Sequence, residues 1–222
     1  MGTSDSNPFE LKKFKELAHE TLSDKLSFKK DHSEDIFTMA SALTAAVKKV
    51  FFEKSEKKFS AEPLIERKAI VQFVQRMRVD GMEKFNATTL ISAVQFYKNS
   101  ETLQKDNPAG VIIVYIERTF VPEMLRLFKY PYIDYDDNDE VLDGIGAIVN
   151  LISGYFKAEL ARLGYIDLEM SPFKSAVNNV LDGVSYCKSQ YEKYEINFEI
   201  EGKKRMVVEL VMDPLPKITE RN

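Results

Sequence analysis

Apolar residues along this chain recur at two spacings, three-to-four and two, and the spacing changes where Pro, Gly or a run of charge intervenes. Behind Pro8, a residue tolerated at the first position of a helix, Phe9, Leu11, Phe14, Leu17 and Leu22 form a loose apolar stripe. That stripe predicts a helical extension over residues 1–32. Ile36, Met39, Leu43, Val47, Val50 and Phe51 follow at helical spacing and predict an amphipathic helix to about Glu53. Lys54 to Pro63 reads as a charged linker. Ala69–Met77 and Thr88–Tyr97 are rich in β-branched and aromatic residues and predict strands. Ala109–Ile116 is an apolar run suited to a strand buried on both faces, with Asn99–Gly110 as the hairpin loop before it.

Helical spacing returns over Thr119–Phe128 and stops before Pro131. It resumes after an acidic loop, Asp134–Glu140, in a long helix to about Leu163. In the last third Tyr194, Ile196, Phe198 and Ile200 alternate with Glu195, Asn197 and Glu199. Gly202 marks a turn, Arg205–Met212 pairs back, and Pro214 and Pro216 end the hairpin. This order predicts an α/β, more narrowly α+β, sandwich in which helices cover a mostly antiparallel sheet. One domain over residues 33–217 then carries the helical extension 1–32 and a short tail, 218–222.

Composition narrows the chemistry. At 44% hydrophobic and 30% charged, the 222-residue chain can build a real core. Thirty-one basic against 35 acidic residues argue against a dedicated nucleic-acid partner. Two histidines (His19, His32), both near the start, and one cysteine (Cys187) leave poor candidates for a zinc site or a Cys–His or Ser–His–Asp arrangement. A single cysteine also fits a reducing compartment. The first 30 residues lack the apolar run of an export signal, and the densest apolar stretch, Gly110–Ile116, is far short of the ~20 residues of a membrane span. The expectation is a soluble cytoplasmic protein without a membrane partner. Chemistry, if present, falls to carboxylates, amides, hydroxyls or lysines.

The long helix carries most of the information. On a wheel at ~100° per residue, Ile145, Ile148, Ile152, Phe156 and Leu163 fall within about 60° of Val141 and predict the core face. Asp143, Ala147, Asn150, Gly154 and Ala161 fall on the opposite side. An ordinary solvated face accounts for that geometry. However, Gly144, Gly146, Asn150 and Gly154 are poor helix formers. Small residues also let another backbone come close, and Asn150 is the side chain there able both to donate and to accept hydrogen bonds.

The run Asp143-Gly-Ile-Gly-Ala147-Ile-Val-Asn150-Leu-Ile-Ser-Gly154, followed by Lys157, Leu160, Ser171 and Pro172, resembles the signature helix of the CheC/CheX family of chemotaxis phosphatases. That family carries Asp or Ser, Glu four residues later, Asn three after that, and Pro about twenty-two further on. The elements ahead of the helix match in order: a Gly-Val-Ile-Ile-Val strand, a short helix with Met124 and Leu125, then acidic residues. The resemblance covers roughly Ile36 to Pro214 with one copy of the motif, closer to CheX than to two-site CheC.

It implies a CheC-like fold and hydrolysis of the aspartyl phosphate on a CheY-like response regulator. An acyl phosphate is already activated, so the task is chiefly to hold a water in line. By position, Asn150 is the water-orienting amide and Asp143 the leading acid, while Ala147, Gly154, Lys157 and Pro172 fall where the partner docks. No cofactor is implied; any magnesium would belong to the partner. A homodimer joined through its sheets is implied as well. One position departs: the family's Glu is Ala147 here, and Asp143 and Glu140, one and two turns away, do not replace it. The implied activity is therefore weakened, dependent on a partner's carboxylate, or lost. A non-catalytic binding or dimerisation module of the same fold is the alternative, and a motor-associated role through the extension is a third.

Other features resolve more simply. An EF-hand starting at Asp134 needs Gly at its sixth position and Glu at its twelfth, where Asp139 and Ile145 stand. The acidic run reads instead as a helix N-terminus, and metal binding is not expected. Cys187 reads as a small core residue, Lys203-Lys204 as a turn, and no Gly-rich phosphate loop is present.

Overall fold

A computed structural model describes residues 34–54, 59–70, 82–131, 133–177 and 192–218. The extension 1–32, residues 71–77 of the first expected strand, and the environment of Cys187 lie outside the described residues. Helix α1 spans 34–54, and all six apolar positions of its predicted stripe are buried. The sheet runs β1 (Leu64–Ala69), β6 (Glu192–Ile200), β7 (Lys203–Met212), β3 (Gly110–Glu117), β2 (Thr89–Tyr97), with β4 (Glu169–Met170) and β5 (Lys174–Val177) both pairing along the far side of β2. Every pairing is antiparallel. The sandwich expected from the helix and hairpin order is what the chain forms.

β2 and β3 are central, so both of their faces are buried, and this is why Ala109–Ile116 reads as a continuous apolar run rather than an alternating one. On one face Ile112, Val114 and Ile116 join a core shared with α1, α4 (Val121–Leu127) and α5 (Asn138–Arg162). Rings couple these layers. Phe156 of α5 stands edge-on to Phe96 of β2 at 5.6 Å, and Phe51, Phe59 and Phe198 link α1 to β6 at 4.9 Å each.

On the other face Val111, Ile113, Tyr115, Val207 and Val211 pack with Ile70 and with Phe85 of the short helix α2 (Met82–Phe85). Two buried carboxylates also lie there, Glu195 of β6 and Glu209 of β7, directly opposite each other in register. Lys84 of α2 bridges them at 2.5 and 2.6 Å, Lys68 reaches Glu195 at 2.6 Å, and Lys193 and the Tyr115 hydroxyl donate to Glu209 at 2.5 and 2.9 Å. Buried charge is tolerable only when paired in this way.

Three expectations need correction. The loop Asn99–Gly110 contains a helix, α3 (Ser100–Gln104), started by a reciprocal capping box between Asn99 and Thr102. Lys203 and Lys204 are not a turn but the first residues of β7, paired with Ile200 and Glu199. The turn is Glu201-Gly202, with both φ positive (54° and 73°), as a two-residue hairpin requires. Leu163 is 40% exposed rather than core, because α5 ends at Arg162 and the chain reverses at Gly164 (φ 83°). In addition, α5, at 25 residues, is long and apolar enough to cross a membrane, yet its apolar face is buried against the sheet.

Candidate functional site: the outward face of α5

The acidic loop fixes where α5 begins. Asp137 caps it, accepting from the amides of Asp139 (2.8 Å) and Glu140 (3.4 Å). Glu140 reaches back to the Asp134 amide at 2.9 Å, and Asp134 accepts from the Asp136 amide at 3.0 Å. Arg118, just beyond β3, donates to Asn138 Oδ1 (3.0 Å) and to the Tyr135 carbonyl (2.9 Å), tying the helix start to the sheet. These acids are spent on the helix terminus. Among the described residues, no group of His, Cys, Asp and Glu could hold a metal ion.

From that start the helix phase follows. Val141, Ile145, Ile148, Ile152 and Phe156 are buried, while Asp143, Asn150 and Gly154 are exposed and Ala147 is half-buried. Asp143, Ala147, Asn150 and Gly154 thus share one face over about 16 Å of helix. The Asn150 carboxamide bonds to none of the described residues and is free to meet a partner. Asp143 stands beside Tyr130, whose phenol is pushed up by burial and then by the Asp143 charge. No other acid of α5 replaces a carboxylate at Ala147: Asp143 lies a turn away, and Glu140 is engaged at the N-terminus.

The flanks hold the remaining expected positions. A Cβ at Gly146 would lie 2.1 Å from Phe173 Cδ2, so the ring rests against bare helix backbone. Pro172, exposed, is carried beside the face by this contact. Ser171 holds the segment to β2, with its amide donating to the Gln95 carbonyl (2.9 Å) and its Oγ accepting from the Gln95 amide (3.0 Å). Lys157 is half-buried and ion-paired to Asp167 at 3.1 Å, at the border of the face rather than on it. Gly144 meets Ile133 and Leu125 (a Cβ would lie 2.9 Å from each), whereas Gly154 faces open space.

Sequence reasoning missed Phe173, whose only signal is its place after Pro172. It also missed Ser153, fully buried in α5 with a hydroxyl that has no hydrogen-bond partner among the described residues. Chemically, the face offers one amide able to donate and accept, one acid about two turns before it, and little side-chain bulk between or beyond them.

No family model and no curated protein matches this chain. Solved structures do. The chemotaxis protein CheX from Desulfovibrio desulfuricans superposes with a TM-score of 0.52 at 13% identity, over 79% of this chain and 99% of that one. A CheC-like superfamily protein from Shewanella sp. PV-4 gives 0.51 at 14% identity (79% and 97%), and the chemotaxis protein CheX from Vibrio vulnificus 0.51 at 14% (79% and 99%). The chain has a CheC-like fold. Nearly the whole of each CheC-like structure is matched, and this chain's own order of β3, α4 and α5 is the one the resemblance in sequence implies.

Proposed function

We propose that this protein docks a phosphorylated CheY-like response regulator on the outward face of α5 and presents Asn150 to its aspartyl phosphate. The observation that carries the reading is the free, exposed Asn150 carboxamide, seven residues after Asp143 on the helix whose sequence resembles the CheC/CheX signature. An amide can orient an attacking water with its oxygen and NH₂ without titrating, and the acyl phosphate supplies its own activation. Gly154 and Ala147 leave room for the partner's backbone, Pro172 borders the contact, and the pair Lys157–Asp167 forms its polar rim. The protein needs no cofactor of its own, and any magnesium involved is the regulator's. The reading implies a cytoplasmic protein.

Ala147 favours a second reading on the same surface: a non-catalytic docking module, in which more of the catalytic geometry than the motif carboxylate has been lost. One substitution separates them. If the surface is an intact but weakened phosphatase site, Ala147→Glu speeds decay of the regulator's aspartyl phosphate about tenfold or more. If the face docks without hydrolysing, binding persists and the decay rate does not move.

A further inference from the structure

Where α1 begins, three separate parts of the chain are fastened together. Asp35 in its first turn accepts a hydrogen bond from the Tyr165 hydroxyl and lies 3.6 Å from Lys217. Lys217 sits 4.9 Å over the Tyr165 ring and pairs with Tyr165 as a β-bridge, and the Ile218 amide donates to the Gly164 carbonyl at 2.7 Å. Beside this knot Leu163 (40% exposed) and Ile218 (64%) face solvent, and so does Phe37 (49%), which lies two residues after Asp35 on the other flank of α1, with its ring 6.0 Å from that of Tyr194. They are half of the six large hydrophobics exposed among the described residues.

We propose that the apolar stripe of the N-terminal extension, Phe9, Leu11, Phe14, Leu17 and Leu22, docks on this end of its own domain. The chain enters α1 at Glu34, at the knot itself, so the stripe is tethered to the surface it would cover. The eleven residues Ser23–Ser33 reach at most about 36–40 Å, ample for a fold-back over a surface that starts where they end. Three partly exposed side chains amount to roughly a few hundred Å², well short of the ~800 Å² per partner typical of a stable dimer. A tethered segment needs less, because its effective concentration is of millimolar order. Asn150 lies about 20 Å along α5 from Leu163, so docking here leaves the outward face of α5 open.

Hydrogen exchange read by mass spectrometry on the full chain tests this, comparing wild type with Leu163→Asp/Ile218→Asp at two protein concentrations. Both side chains are well exposed, so the double variant keeps its fold. Exchange in residues 9–22 should be at least tenfold faster in the variant, and the wild-type protection should be independent of concentration. Equal exchange in the two proteins overturns the proposal. Protection that grows with concentration also overturns it and assigns the surface to a second copy.

Discussion

Glycines 144, 146 and 154 look alike on a helical wheel, since each is costly inside a helix by ~1 kcal/mol against Ala. Their surroundings separate them. Phe173 occupies the space where a Cβ of Gly146 would stand, whereas nothing comes near Gly154. Gly154→Ala should therefore stabilise the protein by up to about 1 kcal/mol. Gly146→Ala should destabilise it by about 1–3 kcal/mol, because the Phe173 ring must leave its seat. Denaturant titration of the two variants reads both signs, and a stabilising Gly146→Ala would contradict the packing described. The face with Asp143 and Asn150 was legible from helical phase alone. The Phe173 contact was not, because it joins residues 27 apart in sequence through a bend that periodicity does not encode.

At the scale of elements, α1, β2, β3 and the β6–β7 hairpin were legible because each has one unbroken period or one apolar run. β1 was not: Leu-Ile-Glu-Arg-Lys-Ala, Leu64–Ala69, carries charge on both faces, so its pattern announces no strand ahead of Ala69. Its charges have partners more than a hundred residues away, Lys68 with Glu195 and Arg67 with Glu192, which no local pattern announces. The same network holds α2. Lys84→Met would leave Glu195 and Glu209 short of a cation in a buried site and should cost about 3 kcal/mol. Glu195 also sets a pH dependence. Burial raises its carboxyl, but the hydrogen bonds and charges of Lys68 and Lys84 outweigh that and lower it from 4.5 to about 2. A depressed carboxylate contributes stability that is complete above 4.5 and is lost as pH falls toward 2, up to about 3 kcal/mol. Unfolding measured between about pH 5 and 2 should show this loss, and Glu195→Gln should flatten it. An unchanged acid slope would mean the network is not formed in solution.

For the whole molecule, the edge of the sheet at β1 bears on assembly. Among the described strands β1 pairs only with β6, and exposed edges invite a second chain. Laid antiparallel on a second copy about Arg67, β1 sets Glu66 of each copy opposite Lys68 of the other. Arg67 is already neutralised by Glu192. The homodimer that the CheC-like resemblance implies should then appear as a dimer in sedimentation velocity at micromolar concentration; a monomer there would remove it from the account.

Contact between Asn150 and a regulator's aspartyl phosphate is read from the decay of that phosphate on a purified CheY-like receiver domain. The full chain is added as wild type, Asn150→Ala, Ala147→Glu, or Ala147→Glu/Asn150→Ala. Ala147→Glu should accelerate decay about tenfold or more, and adding Asn150→Ala should return it to the receiver's own rate. Decay that is indifferent to Asn150 in both backgrounds would contradict that contact.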